Sequence, residues 1–393
     1  MSNTAVVVGG GIGGLATAVG LRRIGWAVTV VERSSVLDDA GAAISLAANG
    51  LRALDELGVG AAVREAAHGQ YSGGTRTPAG RVLSRMDGEA LERAVGTPIM
   101  GIPRSTLHRL LRESLPGQAL LIGSEAGAVR PAGPGKVGVE VGRSGTVLEA
   151  DLVVAADGVG SRVRGLLFPD HPGPVYSGST VLRAITEHAV DAGTDFELTW
   201  GRGAEFGHIA LQDGRAEWHA VLTLPARTRF ADPLAELRRR FGGWHPTVPA
   251  LLDATRPGAV LHHDVHELRT PLASYAVGRV ALVGDAAHAM TPNLGQGACQ
   301  ALEDAVTLAA VLDTGDDVAT ALARYDALRR PRSQAVARAA RQAGRMGHGL
   351  AHPLAVALRN TAMRLTPSGV SMRVILRHHD WVAPRLGAPS ASN

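Results

Sequence analysis

Hydrophobic positions at the start of the chain form two short runs separated by a helical pattern. Residues 4–8 (TAVVV) are continuously apolar, as in a buried strand. A glycine-rich turn follows, then a helical run (LATAVGLRRIG), then a second apolar strand (AVTVVE) that ends at Glu32. This order predicts a β-α-β unit of about 30 residues.

Later segments divide into a β-rich region and a helical region. Strand-like runs fill residues 178–224, and the QDGR between two of them predicts a hairpin. Helical patterns follow an apolar run at 280–283 and continue toward the C-terminus, where we expect the tail at 383–393 to be disordered. Asn49 is predicted to cap a helix over 49–58. Segments of α/β character at both ends of the chain therefore enclose a β-rich insertion.

Composition limits the classes of protein. The 393 residues are 45% hydrophobic and 19% charged, which suits two domains or one domain with an insertion. The net charge is only +4 and no basic cluster contains interleaved aromatic residues, so we expect no nucleic-acid partner. Cys299 is the only cysteine, which excludes an internal disulfide and fits a reducing cytoplasm. We expect no membrane span, because no uninterrupted apolar stretch reaches about 20 residues, and no signal peptide, because the N-terminus lacks a cationic region and glycines interrupt its apolar run.

The first candidate site is the glycine turn after the first strand. Gly9, Gly11 and Gly14 match G-x-G-x-x-G, in which glycines permit a tight turn, the approach of a pyrophosphate, and close helix–strand packing. The helix N-terminus adds amide donors for phosphate. Glu32 is placed to accept hydrogen bonds from an adenosine ribose and would repel a 2′-phosphate. The turn therefore predicts FAD or NAD rather than NADP.

Two further strands end in acidic residues. Asp157 lies in DLVVAADGVGSRVR, where an Asp-Gly pair by itself favours an ordinary turn. In VALVGDAAHAMTPNLGQGACQ, Gly284 permits a bend and Asp285 can accept bonds from a polyol chain. A Pro/Gly loop then leads into a helix whose N-terminus suits a ligand that develops negative charge. A capped helix would explain Asp285 as an N-cap, but not the whole string.

Together these segments resemble the class A single-component FAD-dependent aromatic hydroxylases, which share the p-hydroxybenzoate hydroxylase fold. The salicylate hydroxylase and zeaxanthin epoxidase branch is nearest. The resemblance covers most of residues 4–345 and includes GIPRSTLHRLL. It implies an α/β fold: a Rossmann-like FAD-binding domain of the GR2 type, an inserted β-sheet substrate domain, and C-terminal helices. The implied ranges are 1–72, 98–177 and 270–345 for the FAD-binding domain, 73–97 and 178–269 for the substrate domain, and 346–393 for a C-terminal helical segment with a flexible tail.

The resemblance also implies roles for individual residues. Glu32 would bind the adenosine ribose, Arg33 would lie near the adenine, and Arg104 would lie beside the ribityl chain or pyrophosphate. Asp157 would structure the cofactor site, and Asp285 would bind the ribityl and pyrophosphate region. The residues implied to face the flavin ring are Pro292, Gly295, Gln296 and Gly297, of which Pro292 and Gly295 would act in catalysis through their backbone.

Two positions depart from the family pattern. Leu182 stands where the family often has Trp before an arginine, and Ala48 stands where a proline is frequent. The first departure makes the substrate pocket atypical, and neither affects the expectation of bound FAD.

The activity implied is that of a monooxygenase. NADPH or NADH, bound transiently, would reduce FAD, and O2 would add at flavin C4a to give a hydroperoxide that hydroxylates or epoxidises a substrate. The expected substrate is an aromatic, heteroaromatic or polycyclic small molecule, and the protein would be a cytoplasmic monomer or homodimer. Two alternatives stay open, namely an FAD-dependent reductase or dehydrogenase without oxygen transfer and a flavin-binding protein without turnover.

Candidate pocket residues come from the β-rich insertion. Strand alternation puts Arg183 on the same face as Glu187, so Arg183 either meets an acidic substrate group or pairs with that glutamate, and we favour the pairing. His208 and His219 are further candidates, although a structural role is expected more often for each. The run HHDVH at 262–266 places alternate residues on one edge without a fourth ligand, so we predict no metal.

Overall fold

The computed structural model describes residues 2–37, 42–142, 145–367, 373 and 376–387. The strands are, in chain order, β1 (Thr4–Val8), β2 (Ala27–Val31), β3 (Ala43–Leu46), β4 (His68–Gln70), β5 (Ser72–Arg76), β6 (Val82–Asp87), β7 (Ile99–Pro103), β8 (Leu120–Leu121), β9 (Ala126–Pro131), β10 (Val137–Val141), β11 (Thr146–Ala150), β12 (Leu152–Ala155), β13 (Val175–Ile185), β14 (Phe196–Trp200), β15 (Ala204–Ala210), β16 (Ala216–Thr223), β17 (Leu261–Glu267), β18 (Ala276–Val277) and β19 (Val280–Leu282).

The helices are, in chain order, α1 (Ile12–Arg23), α2 (Ala48–Glu56), α3 (Gly60–Ala66), α4 (Gly88–Val95), α5 (Arg104–Glu113), α6 (Arg162–Leu167), α7 (Pro233–Phe241), α8 (Thr247–Asp253), α9 (Asp285–His288), α10 (Gly297–Leu312), α11 (Val318–Met346) and α12 (Pro353–Leu365). Within the described ranges, none of these helices is long and apolar enough to cross a membrane.

The first sheet joins both ends of the sequence. Its order is β18-β19-β12-β1-β2-β8, and all neighbours are parallel except β18 and β19. Ala5 of β1 pairs with Val28 on one side and with Leu152 on the other. Strands β1, β12 and β19 are almost wholly buried, because α1 packs on the sheet while the sheet β11-β10-β9 contacts β1 and β12. This burial explains the continuous apolar runs of the sequence.

Small residues allow α1 and α10 to pack closely. A Cβ at Gly13 would lie 3.3 Å from Cβ of Ala301, and a Cβ at Gly20 would lie 3.2 Å from Cβ of Ala309. Helix α1 begins after the turn that follows β1, and Ala301 of α10 lies beside Gly284, which comes just after β19, since a Cβ at Gly284 would lie 3.2 Å from Cβ of Ala301. The contact between the two helices therefore brings the glycine turn at residues 9–11 next to the segment that follows β19.

The second sheet has the order β17-β13-β16-β15-β14-β5-β6. It is antiparallel except between β14 and β5. One face is covered by α7 and α8, whose leucines and Phe241 form a buried cluster with Trp218. The predicted hairpin at QDGR is confirmed, since residues 211–215 join β15 to β16. The strands of this sheet fall close to the predicted substrate-domain ranges, and the division into domains stays a prediction.

Two local expectations are wrong. Asn49 does not cap α2, which begins at Ala48 without a side-chain cap, because the Asn49 amide is directed into the protein. The tail is not disordered up to residue 387: the amides of Leu386 and Gly387 donate to the carboxylates of Glu56 and Asp313, and Leu386 is buried. The remaining tail residues, 388–393, lie outside the described residues.

Candidate active site

The glycine turn is shaped by close backbone contacts. Gly9 has φ of 109°, and a Cβ there would lie 2.3 Å from the carbonyl oxygen of Ala156. Only glycine fits that conformation and that approach. Gly11, in contrast, has no atom within 4 Å of its Cβ position. The turn is thus packed against the segment after β12 and open at Gly11, where a pyrophosphate is predicted.

Glu32 lies directly against the glycine turn. One carboxylate oxygen accepts a hydrogen bond from the amide of Gly10 at 2.7 Å, and the other accepts from the amide of Ser34 at 2.7 Å. Arg33 is exposed beside it. The structure therefore fixes Glu32 at the end of β2, as the sequence pattern predicted, with its carboxylate held by backbone amides.

Helix α5 contacts the same turn from another side. Arg104 is its first residue, and its amide donates to the carbonyl of Ala42 at 3.1 Å. One turn later, a ring nitrogen of the buried His108 lies 2.7 Å from the carbonyl oxygen of Gly10. The sequence pattern did not single out His108, because a lone histidine on a helix carries no local signal.

Asp157 serves two roles in the segment after β12. One oxygen accepts from the amides of Arg162 and Val163, at 2.8 and 3.2 Å, and so holds the start of α6. The other oxygen, Oδ1, is buried without a hydrogen-bond partner among the described residues. The ordinary-turn interpretation explains the first oxygen and leaves the second for a ligand.

Arg164 connects this segment to the one after β19. It is buried, and it donates to the carbonyls of Val159 and Ala286 at 2.7 and 3.1 Å. Burial lowers the pKa of the Arg164 guanidinium, while Asp157 and Asp285 oppose that change. The sequence gives no local signal for this role of Arg164, because the contact to Ala286 joins residues 122 positions apart.

Asp285 lies where the sequence predicted, but it is not a cap. The N-cap of α9 is Gly284, with φ of 59°, and its amide donates to Oδ2 of Asp304 at 2.8 Å. Asp285 is exposed and makes no hydrogen bond with any residue that the structure describes. Its carboxylate is therefore available to a ligand.

The loop after α9 contains polar atoms that have no hydrogen-bond partner among the described residues. Pro292–Leu294 form a 3-10 turn, Gly295 has φ of 61°, and α10 begins at Gly297, whose Cβ position is open. Within the described part of the chain, Oγ1 of Thr291 and Nε2 of Gln296 are buried without partners. The loop therefore presents free donors and open backbone in the region predicted to face a flavin.

A buried polar network supports this loop from behind. Nδ2 of Asn49 donates to Gln296 at 2.9 Å and to Glu303 at 2.7 Å. Arg329, fully buried in α11, donates to Glu303 and, at 2.7 Å, to Asp304. Asp304 in turn accepts from the amide of Gly284. None of these contacts was predicted, because the network joins α2, α10 and α11 across the fold.

One face of the second sheet, the one that carries Arg183 and His219, is turned toward the first half of the chain, and we call it the pocket face. Arg183 belongs to it and donates to the carbonyl of Ala43 in β3 at 2.5 Å. His219 lies directly opposite Arg183 in β16 and shares the face. The structure therefore brings these two predicted pocket residues together beside the first half of the chain.

His208 does not lie on the pocket face. It pairs with Trp218 in the opposite-facing core, and its ring nitrogen lies 3.0 Å from the carbonyl oxygen of Thr194. Burial lowers the pKa of His208 to about 4. Strand parity excludes it from the pocket, since Gly207 and Glu205 are the β15 residues that face His219 and Val221.

The partner of Arg183 also differs from the expected one. Its guanidinium donates to Oε1 of Glu217 at 2.8 and 3.0 Å, not to Glu187. Glu217 lies on the neighbouring strand and is 1% exposed, whereas Glu187 lies beyond the end of β13 and is exposed. Glu217 is the partner instead of Glu187 because it lies on the neighbouring strand and reaches the Arg183 guanidinium within the sheet.

The histidine run at 262–266 lies within β17. His263 lies opposite Val181 and so on the pocket face, whereas His262 stacks on Phe230 on the other side. Among the described residues, no group of three or more His, Cys, Asp or Glu side chains is arranged to hold a metal ion.

Comparison with known proteins agrees with this geometry. A family model described as "FAD binding domain" matches residues 2–340. Aurachin C monooxygenase/isomerase of Stigmatella aurantiaca is 37% identical over 346 residues, 88% of this chain and 89% of that protein. FAD-dependent urate hydroxylase of Klebsiella oxytoca is 31% identical over 357 residues, 88% of this chain and 90% of its own.

Solved structures show the same fold. Klebsiella pneumoniae HpxO complexed with FAD and uric acid superposes with a TM-score of 0.89 at 27% identity, covering 97% of both chains. A salicylate hydroxylase substrate complex superposes with a TM-score of 0.74 at 23% identity, covering 95% of this chain and 98% of its own.

Proposed function

The chain belongs to the FAD binding domain family, and from that premise we propose that it is an FAD-dependent monooxygenase. It uses NADH or NADPH and O2 to hydroxylate, or epoxidise, an aromatic, heteroaromatic or polycyclic small molecule. The observation that carries this proposal is the convergence of three segments at the carboxyl ends of β1, β12 and β19. Such strand ends are where parallel α/β sheets bind their ligands.

The residues at this edge fit FAD. The open backbone at Gly11 suits the pyrophosphate, and Glu32 lies where an adenosine ribose is expected. Oδ1 of Asp157 and the exposed carboxylate of Asp285 are free acceptors for cofactor hydroxyls, and Nε2 of Gln296 is a free donor for the ring. We assign Arg33 and Arg104 to the adenine side and the ribityl–pyrophosphate side, respectively.

Bound FAD supplies electron transfer from the nicotinamide and activation of oxygen. The residues of the protein position the substrate, exclude water from it and stabilise the charge that develops there. The backbone of the turn at Pro292, Gly295 and Gly297 would face the ring, and the buried network behind Gln296 supports that turn. The pocket face, with Arg183 and His219, holds the substrate on the other side and keeps water away from it.

The proposal extends to the compartment and the assembly of the enzyme. Cys299, the single cysteine, is buried, which supports a reducing compartment such as the cytoplasm. A monomer or homodimer, acting on a small molecule without a macromolecular partner, is the assembly that we expect.

The test begins with the absorption spectrum of the purified protein, which should be that of oxidised FAD. NADH or NADPH should bleach it, and a panel containing uric acid, 3-amino-4-hydroxybenzoate, phenols, quinolones and polycyclic phenols should stimulate O2 uptake. Isotopically labelled O2 should transfer one labelled atom into the product. Turnover with an artificial acceptor but without label in the product would identify a reductase instead. A flavin that neither nicotinamide bleaches would identify a protein without turnover.

A further inference from the structure

Helix α12 turns its leucines to solvent. Leu354, Leu358 and Leu365 are 75%, 72% and 77% exposed, respectively. Positions four and seven apart lie on one side of an α-helix, so the three side chains form a single stripe about 16 Å long, which we call the leucine stripe. Thr361 is exposed between them on the same side. A helix at the surface of a protein normally buries such a stripe against the core, whereas α12 presents it outward.

An arginine holds another side of α12 against the protein. Arg359 is buried, and its guanidinium donates to the carbonyls of Met346 and Gly347 at 3.1 and 2.7 Å. It also lies over the ring of Trp200, 5.2 Å from the ring centroid, and the charge of the buried Glu205 acts on it. A rotation of α12 that buried the leucine stripe would break these contacts. The outward orientation of the stripe is therefore fixed by the contacts of Arg359.

The part of the sequence that contains α12 is strongly cationic. Residues 327–379 include ten arginines and neither aspartate nor glutamate. Arg364 is exposed in α12 beside Leu365. Arg345 is exposed at the end of α11, next to Met346, which α12 contacts. Both ends of the leucine stripe therefore have an arginine nearby in the chain.

A third exposed arginine comes from the second sheet. Nε of Arg202 donates to the carbonyl of Ala351, three residues before Leu354, at 3.2 Å. Strand β6, which α12 contacts, adds one exposed charge of each sign, Arg85 and Asp87. The Asp87 carboxylate accepts a hydrogen bond from an amide of α4 as the N-cap of that helix. The exposed charges of α12 and of these neighbouring segments therefore sum to a positive value.

The charge and the size of this surface favour one kind of partner. A second copy of the chain, docked stripe to stripe, would bring arginines against arginines. A stable protein interface also buries about 800 Å² on each partner, which is more than three leucines provide. An anionic bilayer needs neither a matching pocket nor a large apolar area, because leucines enter it singly while cations bind its headgroups.

We propose that α12 is an interfacial helix that docks the enzyme on a bilayer of anionic phospholipid. The leucine stripe enters the boundary between headgroups and acyl chains, and Arg202, Arg345 and Arg364 bind the phosphates of the headgroups. The helix lies in the plane of the bilayer and does not cross it, in agreement with the finding that none of the described helices is long and apolar enough to span a membrane. This partner goes beyond the proposed function and does not depend on it.

Co-sedimentation of the holoenzyme with lipid vesicles tests the proposal. One set of vesicles is pure phosphatidylcholine, and the other is an equal mixture of phosphatidylcholine and phosphatidylglycerol. We expect the mixed vesicles to bind the protein roughly tenfold to a hundredfold more tightly, because three arginines meet an anionic surface. A high salt concentration should remove most of this difference, since it screens exposed charges.

Substitutions in the leucine stripe test its insertion. Leu354→Ser combined with Leu358→Ser should weaken binding to the mixed vesicles by roughly tenfold or more, because two apolar side chains no longer leave water. The matched control combines Leu166→Ser with Leu328→Ser, which removes two leucines that are each 54% exposed on other helices. The control should bind like the parent. All four side chains are exposed, so both double variants should keep the fold.

A charge reversal tests the headgroup contact. Arg364→Glu should weaken binding to the mixed vesicles and change binding to pure phosphatidylcholine little. Arg256→Glu reverses an exposed arginine that follows α8 and is the control.

A fluorophore on the stripe reports insertion directly. Cys299 is buried, so Thr361→Cys adds the accessible thiol that an environment-sensitive dye needs. The emission of the dye should shift to shorter wavelength when mixed vesicles are added. The same dye on Ser114→Cys, at the exposed end of α5, should not shift.

Equal binding to the two kinds of vesicle, absence of binding to either, or parent-like binding by the double variant of the stripe would each overturn the proposal. A protein that sediments with vesicles while the dye at position 361 does not shift would also overturn it. Self-association that the double variant loses, without vesicle binding, would identify the stripe as a contact between copies instead. Failure of the proposed function is separate, because it appears as a protein without FAD or as FAD that no nicotinamide reduces.

Discussion

The Cα of Gly14 faces the carbonyl oxygen of Gly9 so closely that a Cβ at position 14 would lie 1.9 Å from that oxygen. The contact sets the distance between the first turn of α1 and the end of β1. The glycine motif is therefore a packing requirement in this chain as well as a phosphate-binding signal.

Gly14→Ala should weaken FAD binding by tenfold or more and destabilise the protein by about 1–3 kcal/mol, because backbone must move to admit the methyl group. Retained FAD and urea unfolding measure the two effects. Gly165→Ala, at an exposed helical position with nothing within 4 Å, is the control: it should leave FAD binding unchanged and, because alanine favours a helix over glycine, should not lower stability. Normal FAD content in Gly14→Ala would mean that the turn does not touch the cofactor.

Asp285→Ala should reduce FAD affinity by tenfold or more while leaving the free energy of unfolding of the apoprotein within about 0.5 kcal/mol of the parent. The side chain is exposed and bonds to no described residue, and the buried Arg164 on which it acts keeps Asp157 and two carbonyl acceptors, so the fold depends little on Asp285. Asp253→Ala removes an equally exposed acid on α8 and should leave FAD affinity unchanged. If Asp285→Ala keeps the parent affinity, the assignment of this carboxylate to the cofactor is wrong.

Arg329→Met should cost about 3–5 kcal/mol of stability, because it removes the fully buried cation that pairs with both Glu303 and Asp304 and leaves Arg332 for the first carboxylate and His288 for the second. It should also weaken FAD binding, since Glu303 holds Asn49 and Asp304 holds the amide of Gly284. Arg330→Met breaks a more exposed pair with Asp326 and should cost no more than about 1 kcal/mol. Equal losses of stability in the two variants would show that the buried network contributes no more to stability than the exposed pair.

The sequence predicted those features that depend only on residues close together in the chain. The apolar runs of β1, β12 and β19 and the glycine turn follow from burial and backbone geometry within a few residues, and they appear where the sequence put them. Asn49, Arg164 and Arg329 could not be predicted, because their partners lie more than a hundred positions away or in another helix.

The pocket shows the same limit. Alternation correctly put Arg183 and His219 on defined faces of their strands, but the face of His208 depends on the register between β15 and β16. Glu205 and Glu217 carried no signal in the sequence, because a glutamate in an amphipathic strand usually faces solvent.

His208→Gln should change how stability depends on pH. Burial lowers the pKa of His208 from 6.5 to about 4. Above pH 6.5 the His208 imidazole is neutral in both the folded and the unfolded protein. Between pH 6.5 and about 4 it binds a proton in the unfolded chain but stays neutral in the folded chain. The parent should therefore lose about 3 kcal/mol from this group between pH 6.5 and 4. Urea unfolding across that range measures it.

The gap between the parent and His208→Gln should close as the pH falls through that window, and substrate affinity at neutral pH should change little, because His208 faces away from the pocket. Parallel stability curves would contradict the assignment of a neutral, buried imidazole.

Arg183→Met should destabilise the protein by about 3–5 kcal/mol, because Glu217 is 1% exposed and would lose its cation. Adding Glu217→Leu should restore more than half of that loss, since removing both charges also removes their desolvation cost. Arg215→Met, which breaks the exposed pair with Asp213, should cost less than about 1 kcal/mol. Urea unfolding of the three variants and the parent gives the comparison. If Arg183→Met instead keeps the parent stability but loses affinity for carboxylate ligands, Arg183 is an anchor for an acidic substrate, and its pairing with Glu217 is incidental.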